Sequence, residues 1–142
     1  MRMRILIAGG PKTGKTTLSY NILRNYSKSA VRTLHTDDLM LMKDWSAESQ
    51  KASEWMDEPG PWIIEGVVVP RAVRKWLARN PIREALAGTP AGSLRPCERA
   101  IWLSTAHQSL SAGQVVMAKG CLKVWNEIEQ ELKRRGVEIE RR

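Results

Sequence analysis

The chain has 142 residues, 42% of them hydrophobic, and a formal net charge of +8. This is enough apolar material for one packed domain, residues 1–142, and argues against both a disordered chain and a two-domain enzyme. Cys97 and Cys121 lack metal-type spacing, "MRMRILIAGG" enters a glycine loop too soon for a signal peptide, and no apolar run reaches the roughly 18 residues of a membrane helix. A soluble protein of the reducing cytoplasm is therefore expected, with no membrane partner.

The charge is unevenly distributed. Seven basic residues (Arg71, Arg74, Lys75, Arg79, Arg83, Arg95, Arg99) face two acids between positions 71 and 99, whereas positions 37–58 hold seven acids and only Lys43 and Lys51. A basic balance favours polyanionic partners, nucleotides or nucleic acid among them.

In chain order, the apolar run 3–9 reads as a strand covered on both faces, and Leu18, Ile22 and Leu23 recur at helical spacing within a helix over 15–26. "VRTLHT" is a second strand ending at Asp37 and Asp38. Positions 39–58 read as one helix, with Ser46 as its N-cap and no capping box. "PGPWIIEG" gives a third strand, Trp62 to Glu65, and "PRAVRKWLARN" a helix with Pro70 in its first turn. Pro81, Gly88, Pro90, Gly92 and Pro96 predict a loop-rich connection with a turn of helix at "IREALA". "RAIWLS" is the fourth strand, residues 105–113 are small and polar, and a long helix follows over 114–135 with an irregularity at Gly120. "GVEIE" supplies a fifth, short strand. Strands alternating with helices predict an α/β fold: a five-stranded parallel sheet with helices on both faces.

Gly9 to Thr16, "GGPKTGKT", fits G-x-x-x-x-G-K-[ST] at every fixed position and lies between a buried strand and a helix start. Glycine lets the backbone curl so that successive amides point at a polyphosphate, and the helix adds its positive N-terminal end. The nucleotide-binding residues are Gly10, Pro11, Lys12, Thr13, Gly14, Lys15, Thr16 and Thr17. Lys15 is assigned to the β- and γ-phosphates and to catalysis, and the Thr16 hydroxyl to Mg²⁺.

In an open parallel sheet the ligand lies beyond the carboxyl ends of the strands, which brings Asp37, Asp38 and Glu65 into play. A carboxylate beside an acceptor hydroxyl takes its proton as it attacks a phosphoryl group; Asp37 is the first choice for that base. Its alternative duty, shared with Asp38, is to cap the next helix. Glu65 is placed to hold Mg²⁺ or orient the nucleophile, the alternative being a pair with a nearby Arg. Trp62, Trp76, Trp102 and Trp125 read as core, whereas Trp45 and Trp55 fall in the acceptor-side insertion.

With these residues together, the chain resembles the small P-loop kinases: nucleoside monophosphate kinases, shikimate and gluconate kinases, and the kinase domain of bacteriophage polynucleotide kinase. The resemblance implies a three-layer P-loop NTPase fold with a small lid at about 105–120, ATP and Mg²⁺ as nucleotide and metal, and phosphoryl transfer to a hydroxyl. "TDD" is similar to the phage polynucleotide kinase pattern whose first Asp activates the acceptor, which maps onto Asp37, with Asp38 beside the acceptor. "EGVVVPR" resembles the acid-glycine-spacer-arginine segment that grips the acceptor, which implicates Glu65, Arg71 and Arg74 in substrate binding. The lid departs from the pattern, since "STAHQSLSAGQVVMAKG" contains no arginine, leaving Gln114 and Lys119 as candidates for its work, with Lys119 as the catalytic point charge unless Arg71 or Arg74 supplies it.

The implied function is an ATP-dependent kinase acting on a nucleotide or nucleic acid, 5-hydroxymethyluracil in phage DNA included. A small-metabolite kinase for a sugar acid or nucleoside, and a switch that hydrolyses nucleotide slowly, remain alternatives. ATP rather than GTP follows from the resemblance, as no N-K-x-D segment occurs.

Overall fold

The computed structural model describes residues 3–26, 30–42 and 44–142. The first apolar run forms β1 (Arg4–Gly9), the central strand of a five-stranded all-parallel sheet. On one side lie β3 (Trp62–Glu65) and then β2 (Arg32–His35), and on the other β4 (Arg99–Leu103) and then β5 (Glu138–Arg141). Ile7 sits opposite both Glu65 and Ile101, and His35 opposite Glu65, so the register brings one end of β2 level with one end of β3.

The helices divide unequally between the faces. Ile5, Ile7, Ile63, Ile101 and Leu103 pack with Leu18, Ile22 and Leu23 of α1 (Lys15–Leu23). The opposite face, with Leu6, Ala8, Trp62, Ile64 and Ala100, carries α2 (Trp45–Trp55), α3 (Val69–Ala87) and α4 (Ala112–Arg134). Right-handed crossovers dictate this split, because only the connection leaving β1 runs towards β2, while the other three run the opposite way. The four Trp assigned to the core are buried, and Trp102 stacks on Trp125 at a centroid distance of 5.4 Å.

Three helix boundaries differ from the sequence reading for identifiable reasons. The single helix expected over 39–58 is two elements, a 3₁₀ helix at Thr36–Met42 and then α2; position 43 lies outside the described residues. Asp44 takes an extended backbone between them and accepts from Ser46 N at 2.8 Å, so Asp44 is the cap and Ser46 lies in the first turn. α3 runs through Pro81, where a break was expected. Pro81 removes one amide bond on an exposed face, and three residues later the buried Glu84 carboxylate anchors the last turn by accepting from Leu94 N at 3.1 Å. α4 begins at Ala112 rather than 114, because Ser111 and Gln114 form a capping box, and it continues unbroken past Gly120. The segment expected as a lid, about 105–120, thus divides into a loop and the first turns of α4.

Folding neutralises much of the charge polarity read along the chain. Asp57 at the end of α2 takes Arg79 and Arg83 of α3, Arg74 pairs with Glu127, and Arg99 with Glu140. Lys75 donates to the Ser46 carbonyl and Arg95 to that of Gly136. Among the described residues, no helix is long and apolar enough to cross a membrane.

At the end of α4, hydrogen bonds from Arg134 and Arg135 hold the Glu131 carboxyl at about 2, against an ordinary 4.5. Its stabilising effect is complete above pH 4.5 and lost as pH falls towards 2, where the folded form takes up its proton. In acid unfolding followed by circular dichroism, Glu131→Gln is therefore expected to flatten the pH dependence between 2 and 4.5 and to leave it unchanged near neutrality.

Candidate active site

β1 is the strand at which the sheet changes direction: the chain leaves it towards β2, and β3 later crosses over it to β4. Crevices at the carboxyl ends of strands around such a point are where open α/β sheets bind ligands. The glycine loop emerges there. Lys12 and Gly14 take left-handed backbone, at φ 60° and 88°, and the turn is closed by Thr13 Oγ1 donating to Gly10 O at 2.9 Å. A Cβ on Gly9 would stand 2.6 Å from Leu103 O, so the loop's first residue lies against β4.

Lys15 is 8% exposed and its Nζ donates to Gly10 O at 2.6 Å and to Thr13 Oγ1 at 3.3 Å. Burial pulls its pKa below 10.5, opposed by the nearby Glu65, Cys121 and Asp37. The ammonium spans the loop with neutral oxygens as its hydrogen-bond partners. Asp44 and Ser111 cap α2 and α4, but α1 enters through Gly14 with no side-chain cap and no acid in its first turn. A dehydrated ammonium beside uncapped helix amides is an arrangement that favours a multiply charged anion.

Other residues of the loop are less committed to such a ligand. Lys12 sends its ammonium to Ser109 O at 2.9 Å, and Pro11 is buried. Thr17 lines a cleft with Gly14, Leu18, Asn21 and His107. Lys119 is exposed on α4 and borders a separate cleft of about 330 Å³, to which Gly10, Pro11 and Thr13 also contribute.

Thr16 Oγ1 lies 3.4 Å from Glu65 Oε1, and the same carboxylate oxygen is 2.7 Å from His35 Nδ1. Glu65 is 1% exposed, and its partner is this histidine rather than an arginine. His35 was not singled out in the sequence, because only the parallel register of β2 on β3 brings it to Glu65. Among the described residues, no group of three or more His, Cys, Asp or Glu side chains could hold a metal ion alone. Thr16 and Glu65 nevertheless suit magnesium bound to a polyphosphate, which takes one or two protein oxygens and completes its shell with phosphate and water.

Asp37 and Asp38 are exposed in the first turn of the 3₁₀ helix, and neither caps α2. Asp37 opens onto a cavity of about 230 Å³ lined also by Thr36, Trp45, Glu48, Val67, Val68 and Met117; Asp38 does not line it. Glu48 was also missed, as its charge reads as solvated until α2 packs on α3 and buries it. The two arginines that sequence placed equally are separated by the fold. Arg74 pairs with Glu127 at 3.1 Å, whereas Arg71 lies over Trp45, 4.9 Å from the ring centroid, with a buried Nη1 that has no hydrogen-bond partner among the described residues. Gly120 makes room for it, since a Cβ there would stand 3.0 Å from Arg71 Nη2.

Gly66 ties β3 to the start of the 3₁₀ helix. Its φ is +149°, and a Cβ there would fall 1.6 Å from Thr36 Oγ1. Gly66→Ala is expected to destabilise the fold by about 2–5 kcal/mol through overpacking and backbone strain. Urea unfolding measures this, and a change below about 0.5 kcal/mol would contradict the packing described.

No family model matches the chain, and no curated protein matches it in sequence.

Proposed function

We propose that the protein is a small P-loop kinase that transfers the γ-phosphoryl group of ATP to a hydroxyl of a nucleotide or nucleic acid, 5-hydroxymethyluracil in DNA among the acceptors. The observation that carries this reading is that three features lie at the carboxyl ends of β1, β3 and β2: the Lys15 loop, the Thr16–Glu65 pair, and Asp37, whose charge acts on Lys15 and which opens onto a cavity.

In this reading, α1's first-turn amides and Lys15 receive the β- and γ-phosphates, with Nζ exchanging Gly10 O for phosphate oxygen. Thr16 and Glu65 would hold magnesium, which supplies charge neutralisation on the phosphate oxygens when bound. His35 holds the Glu65 carboxylate in orientation. Asp37 accepts the acceptor's hydroxyl proton as the new O–P bond forms and the bond between the γ-phosphorus and the bridging oxygen breaks, releasing ADP. Besides Lys15, Lys119 and Arg71 are the candidates among the described residues to offset charge on the group in transfer, Arg74 being paired with Glu127.

The test is a transfer screen with γ-labelled ATP and Mg²⁺ against nucleosides, nucleotides, modified DNA and sugar acids. Label is expected on a nucleotide or nucleic-acid acceptor. Nucleotide binding with slow hydrolysis and no transfer would instead favour the switch.

The internal pairing of the basic residues favours a second reading, in which the acceptor is a small molecule and the net charge of +8 is incidental. Salt separates the two. Phosphorylation of a polymer should weaken steeply between about 50 and 200 mM salt, through counterion release, whereas a neutral small acceptor should show little change.

A further inference from the structure

We infer that the segment 104–111 is a strap that fixes the glycine loop in its turned form, and that Lys12 is a positioning residue tied to this strap rather than a ligand of the phosphates. The effect on ATP rests on the kinase reading above; the strap itself does not.

The backbone at Lys12 sets the problem. Among the described residues, Lys12 is the one non-glycine residue with a positive φ, at 60°. A side chain disfavours that left-handed region, so contacts from outside the residue have to hold it there. They come from the segment between β4 and α4. His107 N donates to Lys12 O at 2.9 Å, and Lys12 Nζ donates to Ser109 O, also at 2.9 Å, so Lys12 is gripped by both its carbonyl and its side chain. The His107 ring makes a further contact, at Gly14, where a Cβ would stand 3.6 Å from its Cδ2. The strap is itself tied down at both ends. Ser104 donates to Arg142 O from its amide at 2.8 Å and from its hydroxyl at 2.6 Å, and Ser111 forms with Gln114 the capping box that starts α4. A segment anchored in this way imposes its geometry on the loop it grips.

The two lysines of the loop are placed differently. Lys15 is buried with its ammonium on the loop's own Gly10 O, whereas Lys12 is exposed, reaches out of the loop to Ser109, and lines neither of the clefts that the loop borders. The strap, "STAHQSLS", contains no lysine or arginine, so what it supplies to the loop is geometry rather than charge. A ligand that binds only the turned form has its affinity reduced in proportion to the fraction of chains in that form. Releasing Lys12 from the strap lowers that fraction as long as residue 12 carries a side chain. Glycine enters the left-handed region about as readily as the right-handed one, and so needs no tie.

The test compares Lys12→Ala with Lys12→Gly in the full chain, by calorimetric titration with ATP and Mg²⁺ and by amide hydrogen exchange without nucleotide. Lys12→Ala loses the tie and keeps the backbone penalty, so ATP should bind about 5- to 30-fold more weakly than to the wild type, the range set by the cost of left-handed backbone. Lys12→Gly loses the tie but takes the conformation freely, and should bind ATP at least about 4-fold more tightly than the Ala variant. In both variants the His107 amide should exchange at least about 5-fold faster than in the wild type, while the buried Ile7 and Ile64 amides stay protected and report an intact fold. Equal ATP affinity in the two variants, or tighter binding by Lys12→Ala, overturns the inference, because a lost phosphate ligand costs the same in either background. A His107 amide that exchanges at the wild-type rate in Lys12→Ala overturns it as well. A wild-type chain that binds no ATP refutes the kinase reading alone, and the exchange of His107 then decides the strap.

Discussion

Lys15→Met is expected to weaken ATP binding roughly 30- to 150-fold while leaving the fold as stable as before or more so. The loss corresponds to about 2–3 kcal/mol, the range of hydrogen bonds to a charged group, and the transfer rate should fall further, about 10²- to 10³-fold, because the same charge meets the phosphoryl group in transit. The gain in stability has a separate cause. The wild-type ammonium is 8% exposed, and burial holds its pKa below 10.5. Between the folded pKa and 10.5 the unfolded chain binds the proton more tightly, so wild-type stability rises with pH across that window. Methionine keeps the volume, removes the buried charge and abolishes the rise. Calorimetry with ATP, paired with thermal melts at neutral and alkaline pH, checks both halves. A variant that loses ATP binding only because it melts earlier would refute the functional assignment of this lysine.

Asp37→Asn is expected to lower kcat by about 10²- to 10⁴-fold, the usual contribution of a positioned general base, with the KM for ATP unchanged. The substitution keeps the side chain's shape and removes its capacity to take a proton. Asp37 is exposed in the 3₁₀ helix, and α2 is capped by Asp44, so stability should change by no more than about 0.5 kcal/mol. The measurement is steady-state transfer to whichever acceptor the screen identifies, alongside ATP affinity. If turnover survives intact while Lys15→Met abolishes binding, Asp37 is not the base and a slow hydrolase gains ground.

The three central strands, β3, β1 and β4, were legible because each is a short, mostly apolar run, and a parallel sheet leaves little else for such runs to be. The glycine loop was legible because its spacing is local. Helix ends were less so, for reasons that lie in partners distant in sequence. Pro81 looks like a stop until Glu84 meets Leu94, ten residues on. The α2 start depended on which of two nearby polar residues took the extended backbone, Asp44 or Ser46. Ser111 and Gln114, by contrast, were a capping box readable from spacing alone.

The candidate site divides along the same line. Lys15, Thr16 and Asp37 sit next to recognisable punctuation in the chain. His35 and Glu48 do not, since the first becomes relevant through the register of β2 on β3, and the second through burial of α2. The separation of Arg71 from Arg74 depends on Glu127, 53 residues beyond Arg74, and on the space left by Gly120. The apparent polarity of charge was also reduced on folding, as Arg79 and Arg83 of α3 pair with Asp57.

A crystal structure of the chain with Mg²⁺ and a non-hydrolysable ATP analogue decides whether the glycine loop holds the nucleotide. The β- and γ-phosphates are expected within hydrogen-bonding distance of the amides that open α1, with Lys15 Nζ moved from Gly10 O onto phosphate oxygen and Asp37 facing the γ-phosphorus. A nucleotide bound elsewhere, with Nζ still on Gly10 O, would contradict that expectation.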